Sequence, residues 1–252
     1  LRIFHVAPKS VISQTSAATV LAETGEWETI MSQDAETVLD VYLDIKSPHA
    51  YLAVRPSLEV ARDYKVRINF LPYTLSYVAF GLTTSVDPDN KRRPPNPAAD
   101  RKARMYYTAA RQYAALQGLP FRNPYRLLDS TLAHKAFLFA KQQALEVQFL
   151  MQVYVHGWGS GWRDYEMESL EQLRGTLVAI GAHTDSFEAY MASNGAGDVK
   201  LQSCMAKAES SGFTGVPHYV FYDTVLGREL GLFGREHLTL IREKFAAEGL
   251  AR

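Results

Sequence analysis

Sulfur is almost absent from this chain: Cys204 is the sole cysteine in 252 residues. A single thiol cannot close an intramolecular disulfide, which excludes a disulfide-stapled secreted scaffold. It also excludes cysteine-cluster zinc sites and Cys-x-x-Cys redox chemistry within one chain. Net charge is missing too, because 27 basic side chains balance 27 acidic ones. Without a global positive field, wholesale binding to nucleic acid or to an anionic membrane surface is not expected. No apolar run reaches the ~20 residues that a membrane-spanning helix needs. The seven histidines include no His-x3-His pair, so no metal site is expected. There is neither a Gly-x-Gly-x-x-Gly nor a phosphate-binding loop.

What is present is ordinary for a soluble globular protein, with 47% hydrophobic and 21% charged residues. The length suits one large domain or two small ones and can bury a core without staples. Met31-Ser32-Gln33-Asp34 looks like a natural start, so residues 1–30 read as an extension to the functional core. The alternative is an ordered N-terminal arm. No stretch at the start has signal-peptide character, and with no disulfide the expected compartment is the cytoplasm.

Val38 to Ile45 alternates apolar and acidic residues, the pattern of a strand. It runs into Ser47-Pro48, where Ser47 reads as an N-cap and Pro48 as the first helical residue. Helical spacing then extends from His49 to Tyr64, and Val66 to Tyr73 is a second strand. Strand, helix and strand in this span make a βαβ unit. Gly81 to Asp100 is a proline-rich loop carrying Lys91-Arg92-Arg93, which reads as a solvated basic run. Helical patterns follow over Arg101–Gln117, Thr131–Val155 (as one or two helices), Ser169–Ile180, Ser186–Ser193 and Val199–Ser211, with a turn at Gly157–Trp162. Gly215-Val216-Pro217 opens a strand from His218 to Tyr222. A hairpin through Asp223-Thr224 leads to a strand over Val225–Gly231, and Arg235 to Glu248 closes as a helix.

This order, βαβ, helical block, ββα, is that of the thioredoxin fold. The expected class is α/β, thioredoxin-like with a large all-helical insertion. Residues 1–37 form the extension, 38–77 and 213–250 the thioredoxin-like domain, and 78–212 the inserted helical domain. In thiol oxidoreductases of this fold a Cys-x-x-Cys starts the first helix, where the helix dipole and free N–H groups lower the thiol pKa. Here that place reads Ser47-Pro48-His49-Ala50, with both sulfurs gone. Gly215-Val216-Pro217 stands where the fold keeps a cis-proline, whose preceding residue can pair with a peptide-like ligand by strand addition. From the residues alone, Ser47 is either a helix cap or a hydrogen-bond donor to an external thiolate.

The sequence resembles the 2-hydroxychromene-2-carboxylate isomerase and kappa-class glutathione transferase family, within the DsbA-like thioredoxin superfamily. The resemblance is carried by VYLDIKSPHAYLA, by Gly118-Leu119-Pro120-Phe121, and by His156-Gly157-Trp158-Gly159. Ser193-Asn194, Gly215-Val216-Pro217-His218-Tyr219-Val220 and the closing Phe233-Gly234-Arg235-Glu236-His237-Leu238 complete it. It implies glutathione as cofactor and a small aromatic or conjugated substrate, in a homodimer that binds neither nucleic acid nor membrane. It further implies that Ser47 hydrogen-bonds the glutathione sulfur. Val216, next to Pro217, would pair with the cysteinyl backbone, and Glu236 would meet the γ-glutamyl ammonium beside Arg235. Lys102 would meet the glycyl carboxylate, with Asn90 as a second loop contact. His49, Tyr77, Trp158 and His218 are candidates for the substrate side. Three activities stay open: glutathione-dependent isomerisation, kappa-type glutathione transfer, and a non-catalytic thioredoxin-fold binding protein. The family's lysine after the second strand is Tyr77 here, and the acid of its Tyr-x-x-x-Asp helix is Ala109. The glutathione half of the site is therefore better matched than the substrate half.

Overall fold

The computed structural model describes residues 35–76 and 97–252, together with Val20, Leu21 and Trp27. Tyr77, Asn90 and Lys91-Arg92-Arg93 lie outside the described residues. Four strands form one sheet in the order β2-β1-β3-β4. Strand β1 (Thr37–Leu43) pairs in parallel with β2 (Val66–Pro72), Val41 opposite Phe70, because helix α1 (Pro48–Asp63) crosses between them. On its other edge β1 meets β3 (His218–Asp223) antiparallel, Tyr42 opposite His218. Strand β4 (Arg228–Phe233) completes the sheet beside β3.

The period of two along the strands divides the sheet into two faces. Leu39, Val41, Ile68, Phe70, Tyr219 and Phe221 belong to the main core with the buried side of α1. Phe245, on the last helix α8 (Leu238–Ala247), packs its ring edge-on against Phe221 there. The opposite face presents Tyr42 and Val220 to Ala208 on helix α7 (Ala196–Ser210). Among the described residues, every regular element between β2 and β3 is helical. These are α2 (Pro97–Leu116), α3 (Thr131–Lys141), α4 (Glu146–Ser160), α5 (Leu170–Ala179), α6 (Phe187–Met191) and α7. Helix α3 is their hub, buried from Ala133 to Ala140 and in contact with α4, α5, α6 and α7. Val20 and Trp27 are buried within the same core, so part of the N-terminal segment packs onto the body. No described helix is long and apolar enough to cross a membrane.

Three boundaries differ from the sequence expectations, and the span left open as one or two helices is resolved. Gly157 to Ser160 is helical and not a turn: Gly157 is needed because the Trp162 ring lies where a Cβ would stand. The true terminator is Gly161, at φ 66° in the left-handed region. The span 131–155 is two helices, broken where Ala144 adopts φ 57°. Strand β4 begins at Arg228 and not Val225, because the Asp223 carboxylate accepts the N–H groups of Val225 (3.0 Å) and Leu226 (2.9 Å) and holds those residues in the turn. The closing helix starts at Leu238, preceded by a single 3-10 turn over Arg235–His237.

Candidate active site

Helix α1 starts as its sequence prescribes. Ser47 is its N-cap, with extended backbone, and its hydroxyl accepts the Ala50 N–H at 3.4 Å. Pro48 has no N–H to lose at the first helical position. An oxygen that accepts so long a bond keeps its own proton available to donate, and the helix start adds partial positive charge. Ser47 and His49 are half-buried.

The Val216–Pro217 peptide bond is cis, as the fold resemblance implied. Among the described residues the Val216 N–H and C=O have no backbone hydrogen-bond partner. The Pro217 carbonyl accepts the Gly234 N–H at 2.9 Å, which ties this edge to the turn carrying Arg235 and Glu236.

Three elements meet around His49. Its ring stands edge-on to Tyr106 of α2, centroids 5.6 Å apart. The Lys102 ammonium lies over the same Tyr106 ring, 5.7 Å from its centroid. From the closing turn, the Arg235 guanidinium stacks on Tyr113 at 3.8 Å and donates to the Leu52 carbonyl at 3.3 Å. The tie between α1 and α2 is completed by Arg55 donating to the Gln117 carbonyl (2.6 Å) and Gln117 donating to Leu52 (3.1 Å). Burial lowers the His49 pKa, the Arg235 charge lowers it further, and Glu236 opposes both. His49 Nε2 is buried and has no hydrogen-bond partner among the described residues. Ser47, His49, Lys102, Val216, Pro217, Arg235 and Glu236 thus lie on four linked segments.

Two substrate-side candidates fall elsewhere. Trp158 is fully buried, stacked on Phe121 with centroids 5.1 Å apart and edge-on to Trp162, so it packs the helical core. His218 is buried on the α7 side of the sheet, the face turned away from α1. There its Nε2 meets the Ser211 hydroxyl at 2.9 Å, and burial pushes its pKa down to about 4. The alternation along β3 puts Tyr219, and not His218, on the α1 side. The expectation that His218 belongs to the substrate side of the Ser47 site is corrected accordingly.

One group that sequence reasoning did not single out lies directly beneath the helix start. Asp44 is completely buried, and its carboxylate contacts the Lys46 ammonium (3.0 Å) and the Ser130 hydroxyl (2.6 Å). Burial raises its pKa, and the Lys46 ammonium and the Ser130 hydroxyl pull it down. His134 Nε2 accepts the Ile45 N–H at 3.1 Å, so the ring's proton sits on Nδ1, 2.7 Å from the Thr74 hydroxyl. The 3.3 Å approach of that Nε2 to Asp44 is then not an ion pair, and Lys46 is the counter-charge. Sequence offered no signal for this, because Asp44 to Ser47 is a turn, closed by the Ser47 N–H on the Asp44 carbonyl at 2.9 Å, and strand alternation does not sort side chains there.

Comparison with known proteins agrees with this architecture. A family model described as a DsbA-like thioredoxin domain matches residues 38–246. The chain belongs to the DsbA-like thioredoxin family. Within it, a 2-hydroxychromene-2-carboxylate isomerase of Pseudomonas putida is 26% identical over 182 residues, covering 71% of this chain and 83% of that protein. A solved 2-hydroxychromene-2-carboxylate isomerase superposes with TM-score 0.65 at 20% identity, over 84% of this chain and 96% of its own. The cytosolic disulfide reductase DsbM from Pseudomonas aeruginosa, solved with GSH, superposes with TM-score 0.56 at 15% identity, over 84% and 97%. At such identities the solved structures establish the fold. The DsbA-like frame is present here with Ser47 and Ala50 at the start of helix α1.

Proposed function

We propose that this DsbA-like protein is a glutathione-dependent isomerase of the 2-hydroxychromene-2-carboxylate type, acting on an aromatic or conjugated substrate. The observation that carries the reading is Ser47: a hydroxyl with a proton to donate, at a helix start, where the fold otherwise offers a thiol. A site so built lacks its own sulfur and favours an anion brought from outside. The similarity to the P. putida isomerase supports the reaction class.

The residues present fit a cysteinyl tripeptide. The unpaired Val216 peptide offers one donor and one acceptor to an extended backbone. Lys102 has no carboxylate partner and Glu236 no cationic partner among the described residues, so each is available to one end of a zwitterion. Bound glutathione would supply a thiolate that adds reversibly to a conjugated carbon and is regenerated after the bond has turned. The protein's part is to hold that sulfur anionic. The Ser47 hydroxyl donates to it, and the first-turn N–H groups of α1 add their partial positive charge. Kappa-type transfer shares every one of these features and differs in the fate of the sulfur.

The deciding experiment measures the pKa of bound glutathione from thiolate absorbance, in wild type and in Ser47→Ala. The expected result is a depressed pKa in wild type that returns toward the free value in the variant. An unshifted pKa in wild type sinks the reading. Product mass then separates the two activities: an isobaric product marks isomerisation, an adduct marks transfer.

A further inference from the structure

We propose that Asp44 is the positioning residue of this site, fixing the turn that presents Ser47 and the segment that leaves β2. The proposal rests on the glutathione reading above and concerns what holds its donor in place.

A chain that leaves a sheet loses its ladder partners, and each buried N–H needs another acceptor. Between β1 and α1 three successive N–H groups find one. Ile45 donates to His134 Nε2 (3.1 Å), Lys46 to Asp44 Oδ1 (3.1 Å), and Ser47 to the Asp44 carbonyl (2.9 Å). Asp44 supplies two of these three acceptors. Its other oxygen, Oδ2, accepts the Leu75 N–H at 2.7 Å, just beyond β2. Its Oδ1 also accepts from Ser130, the residue before α3, and the Tyr154 hydroxyl of α4 reaches its carbonyl at 3.4 Å. One buried residue therefore joins the Ser47 turn, the β2 exit, the start of α3 and the middle of α4.

Geometry, not field, is what this residue provides. A lone buried anion three residues from Ser47 would oppose a thiolate nearby. Lys46 cancels it, and Lys46 Nζ is itself held by Ser130 at 3.1 Å. The pair leaves no net charge beneath the site. What remains is a set of short contacts that fix where Ser47 sits, and a displaced hydroxyl no longer meets the sulfur.

Asp44→Asn keeps the shape of the side chain. Whichever way its amide turns, an NH2 group then faces a donor where an acceptor is required. The test is the bound-glutathione thiol pKa and the glutathione Kd in wild type, Asp44→Asn and Ser130→Ala, with circular dichroism recording that each is folded. Asp44→Asn is expected to raise the bound-thiol pKa by about 1 and to weaken binding, and Ser130→Ala to do the same to a smaller extent. A role through charge predicts the opposite sign, because Asp44→Asn leaves Lys46 uncompensated. A bound-thiol pKa that is unchanged or lowered in Asp44→Asn therefore overturns the proposal. If Asp44→Asn does not fold, Ser130→Ala decides by the same criterion. An unshifted thiol in wild type overturns the glutathione reading, and this proposal with it. A shifted wild type with an unmoved Asp44→Asn overturns the role of Asp44 alone.

Discussion

Pro56 strips the Leu52 carbonyl of its helical partner. Helix α1 passes through Pro56, which has no N–H to return to the residue four before it. The freed Leu52 oxygen instead accepts from Gln117 at 3.1 Å and from Arg235 at 3.3 Å. A proline inside the helix thus supplies the docking point for α2 and for the closing turn, and both elements carry candidate site residues. Arg235, expected as a ligand contact, is seen here bracing α1 against Tyr113.

Arg235→Ala is expected to lower stability by roughly 1–2 kcal/mol, through loss of the stacking on Tyr113 and the bond to Leu52. Urea denaturation measures it. Pro56→Ala restores an N–H aimed at Leu52 and should reduce the Arg235→Ala effect, so the two changes should not add. Strict additivity would refute the link between Pro56 and the Arg235 brace.

The buried His218 sets an acid sensitivity. Its folded pKa, down to about 4, lies below the unfolded value of 6.5, so the unfolded chain takes up the proton first. The stability it contributes is complete above about pH 6.5 and is lost as pH falls toward 4. Denaturation midpoints across that window should decline in wild type and decline less in His218→Gln. Equal slopes would show that another group carries the loss.

Gly157→Ala is expected to cost about 1–3 kcal/mol, because the added methyl meets the Trp162 ring inside helix α4. Thermal or urea unfolding reads the loss. Since Trp158 and Trp162 pack edge-on there, tryptophan emission should shift with it. An unchanged midpoint would mean that Trp162 yields without cost.

Lys102→Met tests the other end of the ligand. Glutathione affinity should fall roughly three- to tenfold, the scale of an exposed charge contact. The gap between wild type and variant should narrow at high salt. A gap that persists unchanged at high salt would assign Lys102 a packing role beside Tyr106.

The local elements were legible wherever one residue type forces the backbone. Ser47-Pro48 announced a helix start, because proline suits the first helical position; the cis bond at Val216-Pro217 was suggested by the fold resemblance and not by the residues themselves. Boundaries failed where a side chain did the unexpected work. Asp223 extended a turn by capping two N–H groups, and Gly157 served a tryptophan instead of a bend. The site was legible along the chain and not across it. Nothing in sequence places Tyr106 and Tyr113 over His49 and Arg235, because that depends on how α2 crosses α1. Asp44 looked like one more acid in an alternating strand. Its importance comes from Leu75, Ser130 and Tyr154, none of them its neighbours in sequence.

The lone Cys204 has a practical side. It is partly buried, and burial raises its pKa against the pull of Lys141 and Lys207. Near neutral pH it stays a protonated thiol and contributes nothing to the ultraviolet thiolate band. The buried tyrosines Tyr42, Tyr51 and Tyr219 are likewise held above their usual range, so their phenolate absorbance stays out of the same window. Neither Cys204 nor these three tyrosines therefore adds an ionisation of its own to the near-neutral titration of an added thiol.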